Sequence, residues 1–165
     1  MISHPSNLLQ NLAMLNSFRM KIYIGTDHRG FKLKKNLKTW LTNLGHEVID
    51  NSNETFDPGD DYADFAITVA KNVSGDSESR GIVMCGSGVG VNIAANKIKG
   101  VRCSLGFDPN QVKNGREDED INILAIAVDY TGEEPAKALI LSFLDTKFVN
   151  VERHVRRLEK ITQYD

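Results

Sequence analysis

A chain of 165 residues, 41% hydrophobic and 25% charged, has room for one domain built on a single covered sheet and lies far from disordered or membrane-spanning compositions. The formal charge of -2 creates no global field for nucleic acid or an anionic membrane, so neither is expected as a partner and any anion site must be local. Two cysteines, Cys85 and Cys103, are too few for a disulfide framework and read as free thiols of a reducing, cytoplasmic compartment.

In chain order, Met1 to Arg19 lacks a cationic segment followed by an unbroken apolar run, so it is a poor signal peptide and is expected to be a leader outside the working domain, 20–165. Lys21 to Gly25 is the first strand. Leu33, Leu37, Trp40, Leu41 and Leu44 then recur at helical spacing up to Gly45, a C-cap. Glu47 to Asp50 is strand two, Asn51 to Asp60 a polar loop, and Phe65, Ala66, Val69 and Val73 mark a second helix. Gly81 to Cys85, strand three, runs into Gly86-Ser87-Gly88-Val89-Gly90, with a helix from Asn92 to Lys97. Val101 to Leu105 is strand four, Asp108-Pro109 an N-cap and N1 pair, and Ile121 to Val128 strand five. Leu139, Ile140, Phe143 and Leu144 line another helix, and the basic segment Glu152 to Lys160 a last, partly exposed one. Strands alternating with helices indicate an α/β fold with a parallel sheet.

Ligands of such sheets sit beyond the carboxyl ends of the strands, where strand order reverses. If strand one lies between strands two and three, the loop Thr26-Asp27-His28-Arg29-Gly30 faces Cys85 to Gly90. The glycine loop offers backbone N–H groups to a phosphate or an enediolate oxygen, although a tight strand-to-helix turn would need glycine too. It lacks the Lys-Ser/Thr ending of a P-loop, and it does not open the first βα unit as a dinucleotide fingerprint does. Cys85 adjoins those N–H groups, a setting that favours a usable thiolate base, with a buried inert cysteine as the plain alternative; that alternative suits Cys103, within an apolar strand, better. Asp27 could serve simply as an N-cap and His28 as a solvated loop residue. Arg153 and Arg157 share one helix face and could grip a phosphate, although such basic runs are usually solvated.

The strings GTDHRGFKLKKNL, DYADFAITVA, GIVMCGSGVGVNIAANKIKGVR and FVNVERHVRRLEKI together resemble the ribose-5-phosphate isomerase B and galactose-6-phosphate isomerase family from about Met20 to the C-terminus. The resemblance implies a Rossmann-like three-layer α/β/α sandwich with five parallel strands in the order 2-1-3-4-5. It also implies a homodimer or dimer of dimers with shared active sites, and a small sugar phosphate as ligand. Cys85 matches the base that moves a proton between C2 and C1 through a cis-enediol, and Ser87 a hydroxyl residue supporting that transfer. Gly86, Gly88, Val89 and Gly90 match the cradle for the developing oxyanion, Asp27 and His28 match sugar and phosphate contacts, and Arg153 and Arg157 match a phosphate-gripping pair. No metal or organic cofactor is implied.

Two positions depart from the family pattern. Where relatives commonly read Arg-x-His-Asn-Asp, with the histidine opening the sugar ring, this chain reads Arg116-Glu117-Asp118-Glu119-Asp120, so Asp118 replaces the histidine and Glu119 its substrate-binding neighbour. Asp129 stands where relatives often carry another phosphate-contacting arginine. Three readings of the first departure stand: Asp118 is the ring-opening group, His28 takes that role, or the substrate is not ribose 5-phosphate. A solvated acidic loop is the plain alternative for Glu117 and Glu119. Beside the isomerase, a non-catalytic sugar-phosphate sensor would keep the anion loop without needing the thiol. A phospho-acceptor signalling domain has no use for CGSGVGVNIAANK.

Overall fold

The computed structural model describes residues 19–165, so the expectation of a leader falls, apart from Arg19, outside the described residues. Five parallel strands, β1 (Lys21–Thr26), β2 (Glu47–Asp50), β3 (Arg80–Cys85), β4 (Cys103–Leu105) and β5 (Ile123–Ala127), form one sheet. The helices are α1 (Phe31–Asn43), α2 (Tyr62–Ser74), α3 (Val89–Ala95), α4 (Pro109–Glu119), α5 (Glu133–Asp145) and α6 (Glu152–Thr162). Pleat alternation decides which side chain meets which layer. Ile82 and Met84 of β3 join Leu37, Leu41, Val112, Ile140 and Phe143 under α1, α4 and α5. Val83 and Cys85 point the other way, into Ala66, Val69, Val73, Val91 and Ala95 of α2 and α3. This is the expected three-layer α/β/α sandwich.

The local signals act as their chemistry requires. Gly45 follows α1 at φ +94 and donates its N–H to Thr42 O at 3.0 Å. Asp108 caps α4 by accepting from Asn110 N–H at 2.8 Å, with Pro109 opening the helix.

The strand order, however, is β2-β1-β3-β5-β4, which corrects the expected 2-1-3-4-5. β5, Ile-Leu-Ala-Ile-Ala, is buried at every residue, and such a strand needs neighbours on both sides and helices on both faces. β4 has three residues, all half-buried, and is flanked by Arg102, which suits an edge. The insertion seats the segment after β5 against the end of β3: Val128 N–H donates to Cys85 O and Asp129 N–H to Gly86 O, both at 3.0 Å.

Candidate active site

The reversal of strand order between β1 and β3 lies where expected. Thr26 registers with Met84, and its buried hydroxyl donates to Met84 O at 3.1 Å, tying the two strand ends together. On the β1 side, residues His28–Gly30 form a single 3-10 turn capped by Asp27, whose carboxylate accepts from Arg29 N–H at 3.0 Å. Asp27 is thus the N-cap the plain reading foresaw, and it is 6% exposed. Burial pushes its carboxyl above the usual carboxylate range, partly offset by the N–H bond from Arg29.

Asp60, at the end of the polar loop, accepts from His28 N–H at 2.9 Å and faces His28 Nδ1 at 2.8 Å. A carboxylate in that position holds the hydrogen on Nδ1 and leaves Nε2 as the ring atom free to meet a ligand. Buried Lys34 anchors the same loop, 3.1 Å from Asp50 Oδ2 and donating to Asn53 O at 2.9 Å. Asp60 was not legible as a site residue, since it lies 32 residues from His28 in an ordinary polar loop.

Across the reversal stands Cys85, 4% exposed, at the carboxyl end of β3. The loop after it is shorter than expected, because Val89 and Gly90 already form the first turn of α3. Ser87 is exposed and its Oγ accepts from Val89 N–H at 3.3 Å, so one of the N–H groups foreseen for an anion is partnered by a side chain. Gly88 has φ +71, and a Cβ there would lie 2.5 Å from Leu105 Cδ1, so the loop requires glycine at this point. At Gly90 a Cβ would meet the Tyr62 ring at 2.6 Å, so this glycine also serves packing. Tyr62, on the rim of the loop, stands in the string DYADFAITVA but is not among the site residues expected from sequence. Burial pushes the thiol of Cys103 well up, in keeping with an inert side chain.

The remaining expected residues do not join this cluster within one chain. Glu117 and Glu119, with Asp118 between them, lie not in a loop but in the last turn of α4, which corrects the solvated-loop reading of the two glutamates, and Asp120 is its left-handed cap at φ 46. Arg102, just before β4, donates to Glu119 O and Asp120 O at 3.1 and 3.0 Å, which places that turn at the amino ends of the strands. Cys85 is at the other end of a six-residue strand, on the order of 20 Å away. In the acidic motif, Arg116 and Asp120 pair at 2.7 Å with Arg116 2% exposed, a structural staple, and Glu119 points to solvent. Asp118 Oδ1 lies 3.4 Å from Nε2 of His154, a residue missed by sequence reading; it is 2% exposed, with Nδ1 held 2.9 Å from Val149 O. α6 stays on this side, since Val149 N–H donates to Glu117 O and Asp165 accepts from Gly100 N–H. Arg153 and Arg157 are exposed on α6, and neither pairs with a carboxylate among the described residues, where Arg156 pairs with Glu152.

Among the described residues no group of three His, Cys, Asp or Glu side chains is placed to hold a metal ion, and no helix is long and apolar enough to cross a membrane.

Replacing Asp27 with Asn tests the buried carboxylate. Because its folded pKa is raised, Asp27 favours the fold below the ordinary carboxylate range and loses that contribution as pH rises through its folded value. Asp27→Asn keeps a cap acceptor and removes this slope, so thermal melts should show the variant matching the parent in acid and exceeding it at neutral pH. Equal melting temperatures at every pH would contradict the assignment.

A family profile described as Ribose/Galactose Isomerase matches residues 22–161. The chain is 35% identical over 146 residues to ribose-5-phosphate isomerase B of Mycolicibacterium paratuberculosis, covering 88% of this chain and 92% of that one. It is 37% identical to the putative sugar phosphate isomerase YwlF of Bacillus subtilis, covering 88% and 97%. Ribose-5-phosphate isomerase B of Mycoplasma genitalium, solved with bound ribulose-5-phosphate, superposes with a TM-score of 0.84 at 36% identity, covering 88% of this chain and 95% of that one.

Proposed function

The chain belongs to the ribose/galactose isomerase family, enzymes that interconvert aldoses and ketoses, and from that premise we propose that it isomerises ribose 5-phosphate and ribulose 5-phosphate with Cys85 as the base. The observation that carries this reading is the meeting, at the carboxyl ends of β1 and β3, of a buried thiol, a glycine loop and the Asp27-His28 turn. On the open-chain aldose, the Cys85 thiolate takes the C2 proton while the C1 carbonyl oxygen gains one, giving a cis-enediol. The same proton then returns from sulfur to C1 as the O2 hydroxyl gives up its own, leaving the ketose with no net gain or loss of atoms. Loop N–H groups from Gly86, Gly88 and Gly90 steady the developing oxyanion, and Ser87 supplies a hydroxyl beside it. His28, oriented by Asp60, presents Nε2 to the sugar.

Asp118, Glu119, Arg153 and Arg157 reach such a site only from a second copy of the chain. The chain therefore works as a homodimer or a dimer of dimers, in which Asp118, backed by His154, opens the ring in its partner's site and the two arginines grip the phosphate. Exposed apolar side chains are available to such a contact: Val89 and Ile93 on α3 at 48% and 54%, Phe107 at 78%, and Ile161 on α6 at 52%. The chemistry needs no bound metal or organic cofactor, and the cytoplasm is its compartment.

The test is turnover of ribose 5-phosphate by the purified chain beside a panel of pentose and hexose phosphates. Conversion of ribose 5-phosphate with a kcat/KM at least about tenfold above the other sugars is the expected result. Conversion of another sugar alone would reassign the substrate. Binding with no turnover of any would replace the isomerase by a sensor.

A further inference from the structure

The isomerase reading leaves one pair of charges unused, and they sit on the glycine loop itself. Arg29 Nη2 donates to Asp129 Oδ2, joining residues 100 positions apart. The carboxylate lies over Gly86: a Cβ built there would stand 2.8 Å from Asp129 Oδ2 and 3.5 Å from Arg29 Nε. Glycine at 86 therefore makes room for this pair, quite apart from any backbone angle. Both partners are fixed relative to the thiol. Asp129 N–H bonds Gly86 O and Val128 N–H bonds Cys85 O, while Arg29 N–H is held by Asp27.

Stabilisation is a poor reason for the arrangement. The side chains are 52% and 37% exposed, and an ion pair in such a setting adds little to stability. Nor would a bare carboxylate on an anion-binding loop help, since it would repel the anion. The guanidinium changes that balance. It has five N–H donors in a rigid fork, of which Asp129 engages only the Nη2 end, so the remaining donors can meet a second oxyanion in the plane of the fork. Arg29 also lines an open cavity of about 240 Å³ with Lys32, Leu33, Asn36, Val128, Thr131 and Glu133, so its guanidinium is reachable from solvent.

We propose that Arg29 contacts the phosphate of the substrate from the same chain as Cys85, and that Asp129 is the positioning residue that holds its guanidinium over Gly86. This rests on the sugar-phosphate reading, and it resolves the charge reversal at position 129: the cation is carried by β1's loop and aimed by β5's. Holding the long side chain in advance removes much of the entropy cost of ordering it on binding.

Inorganic phosphate is the probe, because its binding can be followed by titration calorimetry without any turnover. Arg29→Ala should weaken phosphate at least about tenfold and raise KM for the sugar phosphate by a similar factor, with kcat changed less than about threefold. Asp129→Asn should act in the same direction by about threefold, and the double variant should be no worse than Arg29→Ala alone, since Asp129 acts through Arg29. Arg29→Lys, which keeps charge without the fork, should recover only part of the loss. Phosphate binding unchanged in Arg29→Ala, or tightened in Asp129→Asn, would overturn the assignment. A chain that turns over no sugar phosphate would instead sink the isomerase reading while leaving the phosphate titration to judge Arg29.

Discussion

Cys85→Ser should fold, bind inorganic phosphate within about threefold of the parent, and lose isomerisation by about a thousandfold or more, the scale at which a lost general base is felt. The expectation follows from position. The thiol is at the last residue of β3, next to the glycine loop, and 4% exposed, so no other thiol or water chain can easily take over. A serine hydroxyl fits the same volume but ionises far less readily than a thiol, so geometry survives and basicity does not. It also puts a more polar atom among Val83, Val91 and Ala95, which costs about 1 to 3 kcal/mol if unpartnered. Melting curves should accompany the rates, and Cys85→Ala provides a second, apolar replacement. Residual turnover above about a tenth of the parent in both variants would remove Cys85 from the role of base.

The second large effect concerns the far end of the sheet. Removing both terminal arginines, Arg153→Ala with Arg157→Ala, should lower kcat/KM by roughly 10² or more, since each charge-assisted phosphate contact contributes about 1.5 to 3 kcal/mol. That loss alone would not reveal whose site they serve. Mixing subunits does. If each site combines Cys85 of one chain with the arginines of the other, a Cys85→Ser chain and an arginine-less chain together form mixed dimers with one intact site. Random pairing makes half of the dimers mixed, so an equal mixture should regain about a quarter of the parent activity from two nearly inactive preparations. No recovery after verified exchange of subunits would place the arginines outside the shared site. A single chain could not give this result, because Asp118 and the first turn of α6 are held to the amino ends of the strands while Cys85 is at a carboxyl end.

Much of this was legible in the linear chain. Helical spacing found the buried faces of α1, α2 and α5, Gly45 and Asp108 marked helix ends as expected, and the run from Cys85 through Gly88 announced a strand-to-loop junction that needs glycine. Such features rest on period, backbone angle and neighbours a few residues away, and those are local properties. The strand-order rule placed the Asp27-His28 loop opposite Cys85, and the folded chain sets β1 beside β3 with the two strand ends level.

What the linear chain could not decide was which distant groups meet. The order of β4 and β5 depends on which strand can be buried from both sides, and the five apolar residues of β5 outweigh the three half-buried ones of β4. That single exchange moves Asp129 onto Gly86 and gives Arg29 a partner 100 residues away. Asp60 behind His28, Tyr62 over Gly90 and His154 behind Asp118 are likewise contacts between elements, with no trace in spacing or composition. The sequence by itself determined the elements, the parallel sheet and the thiol at a strand end. Only tertiary structure decided the strand order and the charge partners of the site, because long-range burial and ion pairing are settled when the layers close, not along the chain.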